Sequence, residues 1–189
     1  MNSGRILISS ILAGVMISIS SIAYLNTIPV VGSFIFAVGL LSILHFKLDL
    51  FTGKVPYITT CMELPYILTI FTGNVIGCCI MFAFPTAVAV QVISSALTVY
   101  PFIVFLKAML CNVLIYIAVE SYKKSDILTV ILSIAAFVIA GFDHSIARIC
   151  FIISARVFNY DVVKYILIVI LGNAFGGILF HRLRERTYK

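Results

Sequence analysis

An apolar run at residues 127–158 is interrupted near its middle, and this interruption constrains the fold more than any other feature. The break, residues 140–148, has the sequence AGFDHSIAR and contains an acid, a histidine, a serine and an arginine. Backbone polar groups in hydrocarbon must be hydrogen-bonded, so such a break survives only inside protein or beside a water-filled cavity. Ionisable groups at that depth are costly and mark candidate functional sites. We therefore centre the candidate site on His144, because imidazole exchanges protons near neutral pH.

The composition indicates a membrane protein. Of the 189 residues, 62% are hydrophobic and 11% are charged, whereas roughly a quarter of the residues of a soluble domain are charged. The net charge of +6 does not indicate nucleic-acid binding, because the basic residues lie mostly at the ends of apolar segments and in the C-terminal tail. The five cysteines are odd in number and form no CxxC pair, so we interpret them as packing residues. We expect no metal and no cofactor.

Six apolar segments predict six transmembrane helices in one membrane domain, residues 1–189. A straight span needs about 20 residues, so the second and fifth segments are too long to be simple helices. The second has its polar break at residues 45–54, and Pro56 is expected near the start of the half-helix that follows. The charge-free region 85–100 is expected to be a linker. The six segments are 6–25, 31–60, 65–84, 101–119, 127–158 and 162–181.

The positions of the basic residues predict the orientation. The N-terminal run is too long for a signal-peptide core and is interpreted as the first span. The positive-inside rule then places both termini in the cytoplasm, with the chain spanning the inner or plasma membrane. The residues that support this orientation are Arg5, Lys123, Lys124, Arg182, Arg184, Arg186 and Lys189.

A short pattern occurs twice, G-N-x-x-G at residues 73–77 and again at 172–176. Each copy follows an interrupted span, which predicts inverted repeats of three spans each, at about 6–84 and 101–181. Inverted repeats with broken helices place a substrate site near the midplane, and half-helix N-termini there favour an anion. Alternatively, the small residues only allow close packing of helices.

Four motifs together resemble the formate/nitrite transporter family over nearly the whole chain. LDLFTG at 48–53 is similar to the family's (E/D)LFTG loop, and LCNVL at 110–114 to its LCNxLV. GFDHSIA at 141–147 is similar to GF(E/D)HSIA, and LGNAFGG at 171–177 to LGNxxGG. The resemblance implies an all-α, aquaporin-like protomer in a homopentamer. It also implies transport of small monovalent anions such as formate, nitrite, hydrosulfide, acetate or lactate.

The resemblance also implies a role for individual residues. His144 is similar to the family's central pore histidine, which is hydrogen-bonded to a threonine and an asparagine, here Thr52 and Asn173. The remaining positions implied for the pore are the apolar constrictions Leu40, Phe36 and Phe137, the loop residue Phe51, and the fourth-span residues Ile115 and Asn112.

Three basic residues depart from the family pattern. Lys47 stands where the family usually has a small residue, and Arg148 stands where it usually has asparagine. Lys107 is a candidate source of the positive field that a linker lysine supplies in other members. Arg148 either pairs with Asp143 or Asp49, because an unpaired buried charge is unfavourable, or faces the pore and binds anions. The sequence also resembles a short member without the amphipathic helix that precedes the first span.

Two roles of His144 remain open from the sequence. A bare anion in an apolar constriction suffers a desolvation cost of tens of kcal/mol in the idealised limit, so His144 can pass a proton to the anion. Alternatively, a neutral His144 only orients the polar centre. Anion transport is the leading function. The alternative is a non-conducting pore, plugged by salt bridges of Arg148 and Lys47, that serves as a structural or interaction subunit. A membrane enzyme is disfavoured, because no nucleophile or cofactor loop accompanies His144.

Overall fold

The computed structural model describes residues 3–187, and these are arranged as a bundle of nine α-helices without a β-strand. Lys189 and the outermost ends of the predicted 1–189 domain lie outside the described residues. Three short 3₁₀ turns, Val55–Tyr57, Cys61–Glu63 and Cys79–Ala83, connect or extend the helices. The helices are α1 (Ser3–Leu25), α2 (Pro29–His45), α3 (Phe51–Lys54), α4 (Leu64–Cys78), α5 (Ala87–Leu97), α6 (Pro101–Lys123), α7 (Ile127–Ile139), α8 (Ser145–Ala155) and α9 (Tyr160–Thr187).

Within residues 3–187, four helical segments are long and apolar enough to cross a membrane: α1, Cys61–Ala83, α6 and α9. Four further apolar helices, α2, α5, α7 and α8, have only 10–17 residues each. The interrupted fifth segment of the sequence is therefore α7 and α8, joined by residues 140–144. Gly141 in that connection has a φ of +65°, a backbone conformation in which glycine avoids the clash of a Cβ atom.

The second interrupted segment is less regular than the sequence predicts. After α2, the chain makes only the single turn of α3 and the 3₁₀ turn Val55–Tyr57, so the expected half-helix around Pro56 is a short turn. Proline lacks a backbone N–H and its ring clashes with the carbonyl four residues earlier, which ends α3 at Lys54.

The region 85–100 is not only a linker, because it contains α5. Thr86 caps this helix by accepting hydrogen bonds from the backbone N–H groups of Val88 and Ala89, at 3.0 and 3.4 Å. The buried residues Ala89 and Ile93 lie on α5, which packs against α8. The prediction of a linker was wrong, because Thr86 is a residue type that often begins a helix.

Two helix pairs, α1 with α4 and α6 with α9, are packed closely at glycines of the repeated motif. A Cβ atom on Gly73 would lie 2.5 Å from Ser10 Cβ, and one on Gly172 would lie 2.7 Å from Ala108 Cβ. Glycine is therefore required where α4 crosses α1 and where α9 crosses α6. This close packing carries the asparagines next to these glycines into the interior, where Asn74 and Asn173 are fully buried.

Candidate functional site

The two helix breaks meet at a hydrogen bond between Thr52 on α3 and His144 at the start of α8. Thr52 Oγ1 lies 2.9 Å from His144 Nε2. Thr52 is fully buried and His144 is 2% exposed. The structure thus brings together two residues that are 92 positions apart in the sequence.

The bonds to the imidazole define its proton arrangement. His144 is the N-cap of α8, and its Nδ1 accepts a hydrogen bond from the backbone N–H of Ala147 at 3.0 Å. Since Nδ1 is an acceptor, the ring proton is on Nε2, which donates to Thr52 Oγ1. The described arrangement is therefore that of a neutral imidazole.

Asn173 holds the backbone around His144 and makes no hydrogen bond with its ring. Its Nδ2 donates to the carbonyls of Asp143 and Ala108 at 2.8 and 2.7 Å, and its Oδ1 accepts from Ser145 N–H at 2.8 Å. The expected bond between the Asn173 side chain and the imidazole is wrong, because both ring nitrogens and the whole amide have other partners. Asn173 therefore fixes the peptide groups on either side of His144.

Asn74 makes the same set of bonds at the first break. Its Oδ1 accepts from Phe51 N–H at 2.8 Å, and its Nδ2 donates to the carbonyls of Asp49 and Ser10 at 2.9 and 2.8 Å. Asn74 belongs to the first copy of the repeated motif, but no role was predicted for it from the sequence. The shared G-N-x-x-G pattern was the signal for that role.

An aspartate in each break forms an ion pair with a basic residue five positions later. Arg148 Nε lies 2.7 Å from Asp143 Oδ1, and Tyr165 Oη donates to the same carboxylate oxygen at 2.8 Å. Lys54 Nζ lies 2.9 Å from Asp49 Oδ1. Arg148 thus pairs with Asp143 and not with Asp49. Tyr165 was missed in the sequence, although its place eight residues before Asn173 predicts the same face of α9.

Two cavities lie along α2: Leu50 and Gly53, close to Thr52 in the chain, contribute to the first, and His144 contributes to the second. The first has a volume of about 730 Å³ and includes Leu40, Lys47 and Leu50 in its walls. The second has a volume of about 90 Å³, and its walls include Phe36, Phe137, His144 and Arg148. Leu40 in the first cavity and Phe36 in the second both lie on α2. The two cavities therefore lie one after the other along this helix.

Aromatic rings cover His144 on the side of the small cavity. The Phe137 ring is stacked on the imidazole at a centroid distance of 6.0 Å and an interplanar angle of 19°. Phe36 meets Phe137 edge to face at 6.1 Å. Phe36 and Phe137 are each 3% exposed and Leu40 is 2% exposed. Phe137 and Phe36 thus lie on the His144 side of α2, and Leu40 is buried in the wall of the large cavity.

The other predicted pore residues lie outside the linings of these two cavities. Phe51 packs against Phe71 at a ring-centroid distance of 5.3 Å, and Ile115 is fully buried in the core. Asn112 Nδ2 donates to the Asn173 carbonyl at 2.7 Å, which links α6 to α9. Lys107 is half-buried on α6. Phe51 and Ile115 are thus packed in the interior and Asn112 bonds to the backbone of α9, and their role in a pore stays a prediction.

The large cavity is rich in positive charge. Lys47, Lys54 and Lys123 contribute to its walls together with one carboxylate, Glu63. Lys54 and Lys123 have carboxylate partners, whereas exposed Lys47 has no ion pair within residues 3–187. Lys47 also has a left-handed backbone, with a φ of 54°.

A polar network that the sequence did not reveal holds Tyr57 in the wall of the large cavity. Tyr57 Oη donates to Glu120 at 2.6 Å, and Glu120 also pairs with Lys123 at 2.6 Å and with Arg184 at 2.8 Å. Arg182 donates to the Ile58 carbonyl at 2.9 Å. The basic C-terminal part of α9 is thus attached to the chain that follows the first break.

Three of the cysteines are buried, and all five are free thiols. Cys78 on α4 and Cys150 on α8 lie with their sulfur atoms 3.2 Å apart, and Ser18 Oγ lies 3.4 Å from Cys150 Sγ. This contact packs α8 against α1 and α4 behind the site.

The apolar helices of spanning length, the two buried breaks and the polar centre between them define a multi-pass membrane protein. The chain belongs to the formate/nitrite transporter family, whose sequence model matches residues 1–184. No curated protein matches the sequence.

Two solved structures have the same fold. An "FNT family ion channel" aligns with a TM-score of 0.88 and 19% identity, over 100% of this chain and 91% of the other. A "pentameric formate channel with formate bound" aligns with a TM-score of 0.84 and 19% identity, over 98% of this chain and 97% of the other.

Proposed function

We propose that the chain is a membrane channel for small monovalent anions such as formate or nitrite. Membership of the formate/nitrite transporter family supports this function, and so does the likeness to a formate channel. The observation that carries the proposal is His144, buried where the two helix breaks meet and adjoining a small cavity.

The proposed path begins in the large cavity, where lysines raise the local concentration of anions. It continues past Leu40 and the Thr52–His144 pair, and leaves between Phe36 and Phe137. These apolar side chains offer no hydrogen bonds, so a bare anion loses its hydration without compensation. A neutral acid avoids most of that cost.

We propose that His144 supplies the proton that neutralises the anion. In the described arrangement the imidazole is neutral, so it must first take a proton from water in an adjoining cavity. A proton on Nδ1 displaces the hydrogen bond from Ala147 N–H and leaves a cation at the positive end of α8. The positive end of α8 disfavours the cation and so promotes release of the Nε2 proton to an anion. This leaves a neutral acid and a neutral ring protonated on Nδ1, which returns to the starting arrangement by exchanging protons with water.

The proposed architecture has six spans in an aquaporin-like inverted repeat, with α2 to α3 and α7 to α8 as the broken second and fifth spans. The matching bonds of Asn74 and Asn173 support two related halves. We place both termini in the cytoplasm and the protein in the cell membrane, because the basic loop after α6 and the end of α9 lie at the same end of the bundle.

The alternative of a non-conducting structural subunit is not favoured, because the family is named for transport and both structural neighbours are channels. A plug formed by Lys47 and Arg148 also has little support. Arg148 is paired with Asp143 beside the small cavity, whereas Lys47 contributes to the wall of the large one. On the basis of the same comparisons, we propose that the protein transports anions and is not an enzyme.

The substitution His144→Asn tests the proton linkage. Asparagine keeps a polar side chain at the cap but cannot exchange a proton near neutral pH. We expect the variant to lose accumulation of formate driven by a pH gradient in proteoliposomes, while assembly is retained. The control is His45→Asn, which changes an exposed histidine at the end of α2. If His144→Asn accumulates formate as well as the parent does, His144 only orients the polar centre.

The proposed assembly is a homopentamer with one pore in each protomer. The described chain has exposed apolar residues along α1, α4, α6 and α9, which are available for subunit or lipid contacts. Native mass spectrometry in mild detergent should give five times the protomer mass of 20.8 kDa. A stable monomer or trimer would be incompatible with this assembly.

A further inference from the structure

Arg148 has unused hydrogen-bond donors beside the proposed path. Its Nε–H is bonded to Asp143, while its two terminal nitrogens have no protein acceptor within residues 3–187. The side chain is 14% exposed and contributes to the wall of the 90 Å³ cavity. The two terminal nitrogens are not fully enclosed by protein atoms, so they face open space.

The pairing with Asp143 leaves this edge of the guanidinium available. Arg148 Nε and Tyr165 Oη both bind Asp143 Oδ1, so the tyrosine shares the negative charge. The remaining N–H groups of a guanidinium lie in one plane and suit the two oxygens of a planar oxyanion. Arg148 can therefore bridge the fixed carboxylate of Asp143 and a second, mobile anion.

The cavity limits the size of that second anion. A water molecule occupies about 30 Å³ in the liquid, so a cavity of about 90 Å³ suits an anion of a few heavy atoms. Its other walls include the rings of Phe36, Phe137 and Phe151, which offer no hydrogen bonds, and that of Tyr24. Because His144 contributes to the same cavity, an anion bound there lies next to the imidazole.

We propose that Arg148 forms an anion subsite that takes the two oxygens of a small planar oxyanion, a carboxylate or nitrite, beside His144. The subsite makes the channel selective for two-oxygen anions over hydrosulfide, which has one heavy atom and cannot bridge the guanidinium edge. This inference rests on the proposed anion transport and specifies the substrate class of the same path.

The test is Arg148→Lys, which keeps the positive charge next to Asp143 but removes the planar edge. We expect the formate concentration for half-maximal flux to rise about tenfold, as for the loss of one charge-assisted hydrogen bond. Hydrosulfide flux should change less than twofold, so the preference for formate falls. The control is Arg156→Lys on the same helix, where the exposed Arg156 binds the Phe82 carbonyl away from the cavity.

A second variant covers the case in which the lysine fails to fold. Asp143→Asn combined with Arg148→Gln removes both charges together, so neither buried charge is left alone. This variant should also lose the preference for formate over hydrosulfide. In the parent, formate should raise the midpoint temperature of unfolding more than chloride does, and the variants should lose that difference.

The outcomes separate the two proposals. A parent protein that conducts no anion in proteoliposomes refutes the proposed function. A parent that conducts formate, with Arg148→Lys unchanged in half-maximal concentration and selectivity, refutes the subsite and leaves the channel. Equal losses of formate and hydrosulfide flux in Arg148→Lys show that Arg148 does not distinguish the two anions, which also refutes the subsite.

Discussion

The two helix breaks share a backbone arrangement and differ in the chemistry that they hold. In each, a buried asparagine from the repeated motif binds the carbonyl before the break and the N–H after it. In each, an aspartate pairs with a basic residue five positions on. The first break, however, has Leu50 where the second has His144, and Thr52 where the second has Ile146.

The shared asparagines and ion pairs support the backbone of both breaks, whereas the residues that differ form the polar centre. Each break supplies one partner of the Thr52–His144 hydrogen bond, so neither half of the chain contains the polar centre alone. The helices that follow also differ, since α3 has four residues and α8 has eleven. A longer helix has a larger dipole, so the second break places His144 at the stronger positive helix end.

The largest expected effect comes from the paired asparagines. Asn74→Leu or Asn173→Leu removes three buried hydrogen bonds and leaves their backbone partners unsatisfied. At about 1–3 kcal/mol for each group, we expect either variant to be lost from the folded, detergent-soluble fraction. Size-exclusion chromatography of matched preparations measures this. Normal yield of one variant with loss of the other would show that the two breaks are not equivalent supports.

The ion pairs should separate the two breaks. Asp143→Asn leaves Arg148 unpaired in a buried site and should cost about 3–5 kcal/mol, because the side chains are 4% and 14% exposed. Asp49→Asn should cost about 1 kcal/mol or less, since Lys54 is 39% exposed. Thermal unfolding in one detergent at low and high salt measures both, and only the Asp49 pair should weaken with salt. Equal shifts would contradict this contrast.

The smallest expected effect is that of Thr52→Val, which removes the acceptor of the His144 Nε2 proton while keeping the shape. One hydrogen bond contributes about 0.5–1.5 kcal/mol, so we expect a formate flux reduced several-fold with little change in unfolding temperature. Thr52→Ser keeps the hydroxyl and should retain flux, and Ile146→Val is the matched change at the other break. A Thr52→Val flux equal to that of the parent would show that this hydrogen bond does not contribute to transport.

The sequence predicted the features that depend on local composition. Apolar runs with polar breaks predicted the broken helices, and the family resemblance implied that Thr52, His144 and Asn173 share one centre. The predicted hydrogen-bond partner of Asn173, the imidazole, was wrong. A motif indicates that an amide is buried but does not indicate which carbonyls it binds. Those carbonyls belong to other helices, at Asp143 and Ala108.

Which apolar residues line the two cavities was harder to predict for a similar reason. Phe51 and Ile115 were expected in the pore but lie outside both cavities. In a chain that is 62% hydrophobic, an apolar residue that faces a cavity has the same character as one that faces the core or lipid. Only the relative rotation of the helices distinguishes these positions.

The close packing at Gly73 and Gly172 also bears on how such sequences diverge. A methyl group at either position would overlap the neighbouring helix, so substitution there is penalised at once. An outward-facing position on the same helices tolerates any of several apolar residue types. Few positions therefore fix the distances between helices, and the others can change freely. This explains how the chain aligns with a solved channel at a TM-score of 0.88 with 19% identity. Remote members of such a lineage are better recognised by residues at helix crossings than by overall identity.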